Sequence, residues 1–214
     1  MADFSRRPGS RHAPDGSWSP APHRTAGPGG PPSVGRGTAP APAPWGVERE
    51  YRVGRALRDA LRDGELIFSD RRIDGAAQTT DHVVVATSGV WVIDAKRWKA
   101  VSFRATDDRG SVARLYAGDH DVTALVDGLC DCLFRVAAVV RDPSVPLRPA
   151  MAILTEQCRF AAGLRFRLGK PIWHGDVLIG PPGVLVEQIR RSGPLTREQV
   201  LHIGHRVDEA LPPG

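Results

Sequence analysis

The chain has 214 residues, with 29 basic against 24 acidic side chains and a formal net charge of +5. That length supports one domain of ordinary size beside a further unstructured segment. Its three cysteines (Cys130, Cys132, Cys158) form no C-x-x-C pair, which excludes a zinc ribbon and suits a reducing cytoplasm, and no run approaches the ~18 apolar residues of a membrane helix.

Residues 1–44 hold 10 of the 19 prolines and 7 of the 23 glycines, with five Arg against two Asp. Such a segment buries too little apolar surface to offset its ordering entropy, so a disordered tail is expected. It could serve as a basic arm on nucleic acid, but a passive linker is the favoured reading. Arg6-Arg7 has no apolar run after it, so no export signal is expected there. The tail carries +3 of the +5, and the modest remainder on residues 45–214 does not by itself announce a nucleic-acid binder.

Residues 45–214 read as the folded domain. The spacing predicts an amphipathic helix over 46–62, closed by Gly64, with Val47, Gly54, Leu57 and Leu61 on its inner stripe. Glu50 falls on that stripe, whereas Glu48 lies far around the helix and should be solvated. An acid on a buried face needs a partner. Either the charged cluster of the hairpin at 81–96 or a neighbouring arginine such as Arg55 could supply it.

A strand at 65–69 is followed by a hairpin with strands 82–87 and 90–95 around Ser88-Gly89. In that register Asp81 faces Lys96, and Asp81, Asp94 and Lys96 all point to one side. A slip of one residue would turn Asp81 to the other face. Two acids and a lysine ending apolar strands are costly to bury unless something offsets the charge. An ordinary buried salt bridge would do so, and so would a divalent cation with a phosphate. Carboxylates suit hydrated Mg²⁺, and a lysine can stabilise charge on an attacked phosphate. Only three lysines occur among the 29 basic residues (Lys96, Lys99, Lys170), which hints that the ammonium of Lys96 is kept for a purpose.

Short strands near 101–105 and 112–116 should extend the sheet. A helix is expected over 121–141, with Val122, Leu125, Val126, Leu129, Leu133, Val136, Ala137 and Val140 as its apolar face. Strands follow at 150–154, 176–179 and 183–187, the last two separated by Pro181-Pro182-Gly183. The final helix begins at Thr196, which forms a capping-box pattern with Gln199, and runs to about Leu211. Gly180-Pro181-Pro182-Gly183 lacks the lysine and the strand-loop-helix context of a phosphate-binding loop. His202 and His205 lack an evident third metal ligand. His82 should point away from Asp81 as a core histidine. Arg159, Arg165, Arg167 and Lys170 read as a solvated basic stretch.

A helix carrying Gly46-x-x-x-Glu50, then Asp81-His82-Val83-Val84-Val85, then Gly89-Val90-Trp91-Val92-Ile93-Asp94-Ala95-Lys96-Arg97-Trp98, resembles the nuclease-related domain (NERD) family of PD-(D/E)xK nucleases. The match is specific over about residues 46–100. The resemblance implies an α/β fold with a restriction-endonuclease-like αβββαβ core, a central mixed sheet flanked by helices. It also implies Glu50, Asp81, Asp94 and Lys96 as catalytic residues. Mg²⁺ or Mn²⁺ would be held by Asp81, Asp94 and the Ala95 backbone carbonyl, with Glu50 acting through water. Arg97, Trp98 and Lys99 extend from the same strand and could contact a phosphate backbone or stack on a base, though ordinary core packing is the favoured reading of Trp98. Arg49, Thr80, Arg97 and Ala100 depart from the usual pattern without removing a proposed ligand. The expected function is divalent-metal-dependent cleavage of phosphodiesters, with DNA the expected substrate though the sequence does not distinguish it from RNA, in the cytoplasm. The alternative is a non-catalytic nucleic-acid-binding or regulatory module on the same scaffold.

Overall fold

The computed structural model describes residues 44–73, 79–106, 112–159 and 166–214. The expectation for the tail lies outside these residues, except that Pro44 opens the first helix. In chain order the elements are α1 (Pro44–Ala60), β1 (Leu66–Arg72), β2 (Thr79–Ala86), β3 (Gly89–Thr106), β4 (Val112–Ala117) and β5 (His120–Asp121). They continue with α2 (Thr123–Val140), β6 (Leu147–Arg159), β7 (Ile172–His174), β8 (Val177–Gly180), α3 (Pro182–Ile189) and α4 (Arg197–Ala210).

Val83 to Ala86 and Val90 to Ile93 are apolar without a break, the pattern of strands covered on both faces. The packing agrees. Val84, Ala86, Trp91, Ile93 and Ala95 meet Val53 and Leu57 of α1 and Val184, Leu185 and Ile189 of α3. Val83, Val85, Val90 and Val92 face the other way, toward Val126, Val136 and Val140 of α2 and Val200, Ile203 and Val207 of α4. Helices thus cover both faces of one sheet.

The strand order is β1-β2-β3-β6-β8-β7, with β4 also paired to β3 and β5 to β4. β3 runs parallel to β6, and β6 to β8; the other pairings are antiparallel. A mixed sheet flanked by helices is therefore present. The bare αβββαβ succession is not reproduced element for element, because β4 and β5 stand between β3 and α2.

Three expectations need correction. The hairpin turn is Thr87-Ser88, since Ala86 pairs with Gly89 and Val85 with Val90. A side-chain network holds that turn: Trp91 Nε1 donates to Ser88 Oγ at 3.0 Å, and Ser88 Oγ donates to the Ile189 carbonyl at 2.8 Å. The register consequently moves by two residues, an even number, which leaves every side chain on its expected face. Residues 101–105 are the continuation of β3 rather than a separate strand. Residues 183–187 lie in α3, where Pro182 sits in the first turn and Val184, Leu185, Gln188 and Ile189 form a helical buried stripe. Proline suits a first helical turn, because its missing N–H would have no intrahelical partner there.

The final helix begins as expected. Gln199 N–H donates to Thr196 Oγ1 at 3.2 Å, and Thr196 N–H donates to Gln199 Oε1 at 2.9 Å. Among the described residues no helix is long and apolar enough to cross a membrane.

Candidate functional site

The site lies where β2 leaves β3. The two strands pair from Ala86↔Gly89 as far as His82↔Ile93, whereas β2 continues back to Thr79 beside β1 alone. Beyond His82 the backbone of β3 has lost its ladder partner on that side. Ala95 N–H donates instead to the side chain of Asp81, at 2.6 Å from Oδ2. A carboxylate thus takes the place of a strand carbonyl, and the strands part around it.

Continuing the observed register places Asp81 opposite Asp94, rather than opposite Lys96. Strand alternation turns Asp94 and Lys96 the same way. Lys96 Nζ stands 2.8 Å from both Asp94 oxygens, with the two side chains only 22% and 20% exposed. That degree of cover sets the pair apart from solvent-exposed ion pairs, which contribute little. Asp81 and Asp94 share a hydrogen bond between their carboxyl groups, and burial together with the Asp94 charge pushes the Asp81 carboxyl up to about 7. The Ala95 N–H opposes that rise, and Glu50 adds to it. The neighbouring carboxylate charge and the loss of water both disfavour ionisation of Asp81.

Glu50 is half-buried on α1. By strand alternation, Asp81 and Asp94 belong to the α2 side of the sheet, so Glu50 approaches from the opposite layer. Glu48 is exposed as expected, and Arg55 pairs with Asp59 at 3.7 Å. Among the described residues no three His, Cys, Asp or Glu side chains are grouped so as to hold a metal ion. The donor chemistry at the fork is a pair of hard carboxylates, Asp81 and Asp94. Hydrated Mg²⁺ takes one or two protein carboxylates of this kind.

His82 faces α1, away from Asp81, as strand alternation requires. It is 2% exposed, and its Nδ1 lies 3.1 Å from Ser69 Oγ. A side chain at Gly54 would begin 2.9 Å from the imidazole Cε1, so the ring needs glycine in the facing helix turn. Burial brings the His82 pKa down to about 4, which leaves the ring neutral.

Arg97 is exposed, with Nη1 3.5 Å from Glu48 Oε2. Trp98 is half-buried against the α2-side core, and Lys99 is exposed. His205 pairs with Glu209 at 3.3 Å on α4. Cys130 and Cys132 are free thiols whose pKa values burial raises. Arg165 of the basic stretch lies outside the described residues.

Beside Trp98 is a feature not anticipated from the sequence. Trp98, Lys99 and Ala100 of β3 line a groove of about 630 Å³ with Ala117, Gly118, His120 and Val122. Gly118-Asp119 is legible as a turn, but nothing local reveals that this turn folds against Trp98.

No curated protein and no solved structure matches the chain. Residues 45–120, which carry Glu50, Asp81, Asp94 and Lys96, match the family model NERD, nuclease-related domain.

Proposed function

We propose that the fork of β2 and β3 engages nucleic acid, with DNA the expected polymer, as a binding or regulatory module on a nuclease-type scaffold. The observation that carries this reading is the pairing of Lys96 with Asp94 beside Asp81, at 2.8 Å, where the strands part. A phosphate entering the fork would compete with Asp94 for the lysine ammonium. Arg97 and Lys99, both exposed on the same strand, would contact neighbouring phosphates and set the polymer's position.

Hydrolysis is the second reading, favoured by the two carboxylates that the register sets opposite each other at the fork. Asp81 and Asp94 would hold Mg²⁺ or Mn²⁺, with the Ala95 carbonyl as a further donor and Glu50 acting through water. Such an ion polarises a phosphate and makes bound water more acidic. Lys96 would then be the donor that stabilises charge on the attacked phosphate, and Glu50 would orient the water.

The test combines binding and cleavage. Labelled single-stranded and duplex DNA are titrated with the full chain in EDTA, then incubated with Mg²⁺ or Mn²⁺, beside Lys96→Ala. Binding without cleavage supports the module. Cleavage abolished by EDTA, and reduced on the order of 10²–10³-fold by Lys96→Ala, moves the assignment to the nuclease. A chain that neither binds nor cleaves DNA defeats both readings.

A further inference from the structure

We propose that the groove beside Trp98 is a subsite for one unpaired nucleobase of a single strand whose phosphate lies at Lys96. This rests on the nucleic-acid reading above and adds the substrate class: single-stranded or locally unpaired nucleic acid.

Position is the first argument. Lys96 and Trp98 are two residues apart on β3, so they emerge on the same side about 7 Å from each other. A strand held by its phosphate at the fork would therefore carry a neighbouring base over the indole.

The second argument is the chemistry of the walls. Trp98, Ala100, Ala117 and Val122 give the groove an apolar lining, and the exposed Lys99 and His120 stand at its rim. An indole among apolar walls, with the Lys99 ammonium beside it, suits a π-faced base on an anionic backbone. The cavity, at about 630 Å³, falls within the range of ligand-binding clefts.

Shape is the third. Gly118 has φ +61, and no heavy atom lies within 4 Å of where its side chain would begin. Its N–H donates to the Ala100 carbonyl at 3.0 Å, which ties the β4–β5 turn to β3. One wall is thus anchored and stripped to backbone, leaving room for close approach. A base within a duplex is stacked on both faces and cannot enter such a groove; an unpaired one can.

The experiment measures anisotropy in EDTA with three labelled probes: a twelve-nucleotide dT oligomer, an abasic strand of equal charge, and a duplex. The full chain should bind the dT oligomer roughly 5- to 100-fold more tightly than the abasic strand, the range that one stacked base contributes. Trp98→Ala should erase that preference. Ala117→Leu narrows the groove while keeping the indole and should also erase the preference, which keeps the test decisive if Trp98→Ala fails to fold. Trp98→Phe should retain most of the preference. Equal binding of dT and abasic strands by the wild type, or a preference that survives Ala117→Leu, overturns the subsite and leaves the nucleic-acid reading standing. Absence of binding to all three probes overturns both.

Discussion

Ala95 N–H donates to Asp81 Oδ2 across 2.6 Å, at the point where β2 and β3 stop pairing. The carboxylate thereby satisfies a backbone donor and opens the site in one contact. Asp81→Asn keeps an acceptor for that N–H, whereas Asp81→Ala leaves it without one. The alanine variant should be less stable than the asparagine variant by about 1–3 kcal/mol, the cost of an unsatisfied buried donor. Denaturant melts of the two proteins check this, and equal midpoints would show that the contact is energetically idle.

The pH dependence should come from two adjacent residues acting in opposite directions. Asp81 has its folded pKa raised from 3.8 to about 7. Its contribution is fully present below pH 3.8 and is lost as the pH rises through 7. His82, beneath α1 and near Arg58, Asp94 and the Glu50 carbonyl, has its folded pKa lowered from 6.5 to about 4. Its contribution is present above 6.5 and is lost as the pH falls toward 4. Between these limits the two offset one another. Acidification from pH 7 to 4.5 should therefore lower the Tm of Asp81→Asn more than that of the wild type. In His82→Gln it should raise the Tm. Thermal melts across that range test the pair, and parallel profiles in all three proteins would contradict it.

Thr80 is 3% exposed, and its hydroxyl has no hydrogen-bond partner among the described residues. Thr80→Val replaces the hydroxyl by a methyl of similar size. It should stabilise the domain by up to about 1 kcal/mol, since it removes a desolvated polar group rather than a bond. A lower Tm for the variant would mean that the hydroxyl is satisfied in solution.

Gly54→Ala should destabilise by about 1–3 kcal/mol, the cost of forcing extra volume into a packed contact. Its Cβ would lie 2.9 Å from the His82 ring. The same change made on His82→Ala should cost little, because the obstruction is gone. A double-mutant cycle with no coupling between the two positions would refute the contact as the cause.

Helix α1 and the capped helix α4 were legible because their signals are local: a three- and four-residue apolar stripe, and Thr196 three residues before Gln199. The strand at 183–187 was misread. Val184 and Val186 favour strands, and a proline such as Pro182 can end a strand as readily as it opens a helix. At the hairpin, the exact turn was missed because Ser88 is held by Ile189, a partner 101 residues away. The face of each side chain was nevertheless read correctly, since a two-residue shift preserves parity. Trp98 reads from the sequence first as core packing, and it does pack against the α2-side core, whereas the groove beside it is not legible.

By itself, the sequence determined which residues form strands and helices at the site, and that Asp81, Asp94 and Lys96 share one side of a sheet. Those properties follow from periodicity along a few consecutive residues. Tertiary structure alone decided that β2 and β3 part at His82, that Asp94 rather than Asp81 captures Lys96, and that Glu50 approaches from the opposite layer. It also brought Gly118 and His120 against Trp98. Each of these depends on distances between segments remote in the chain, which are set when the two helical layers pack on the sheet.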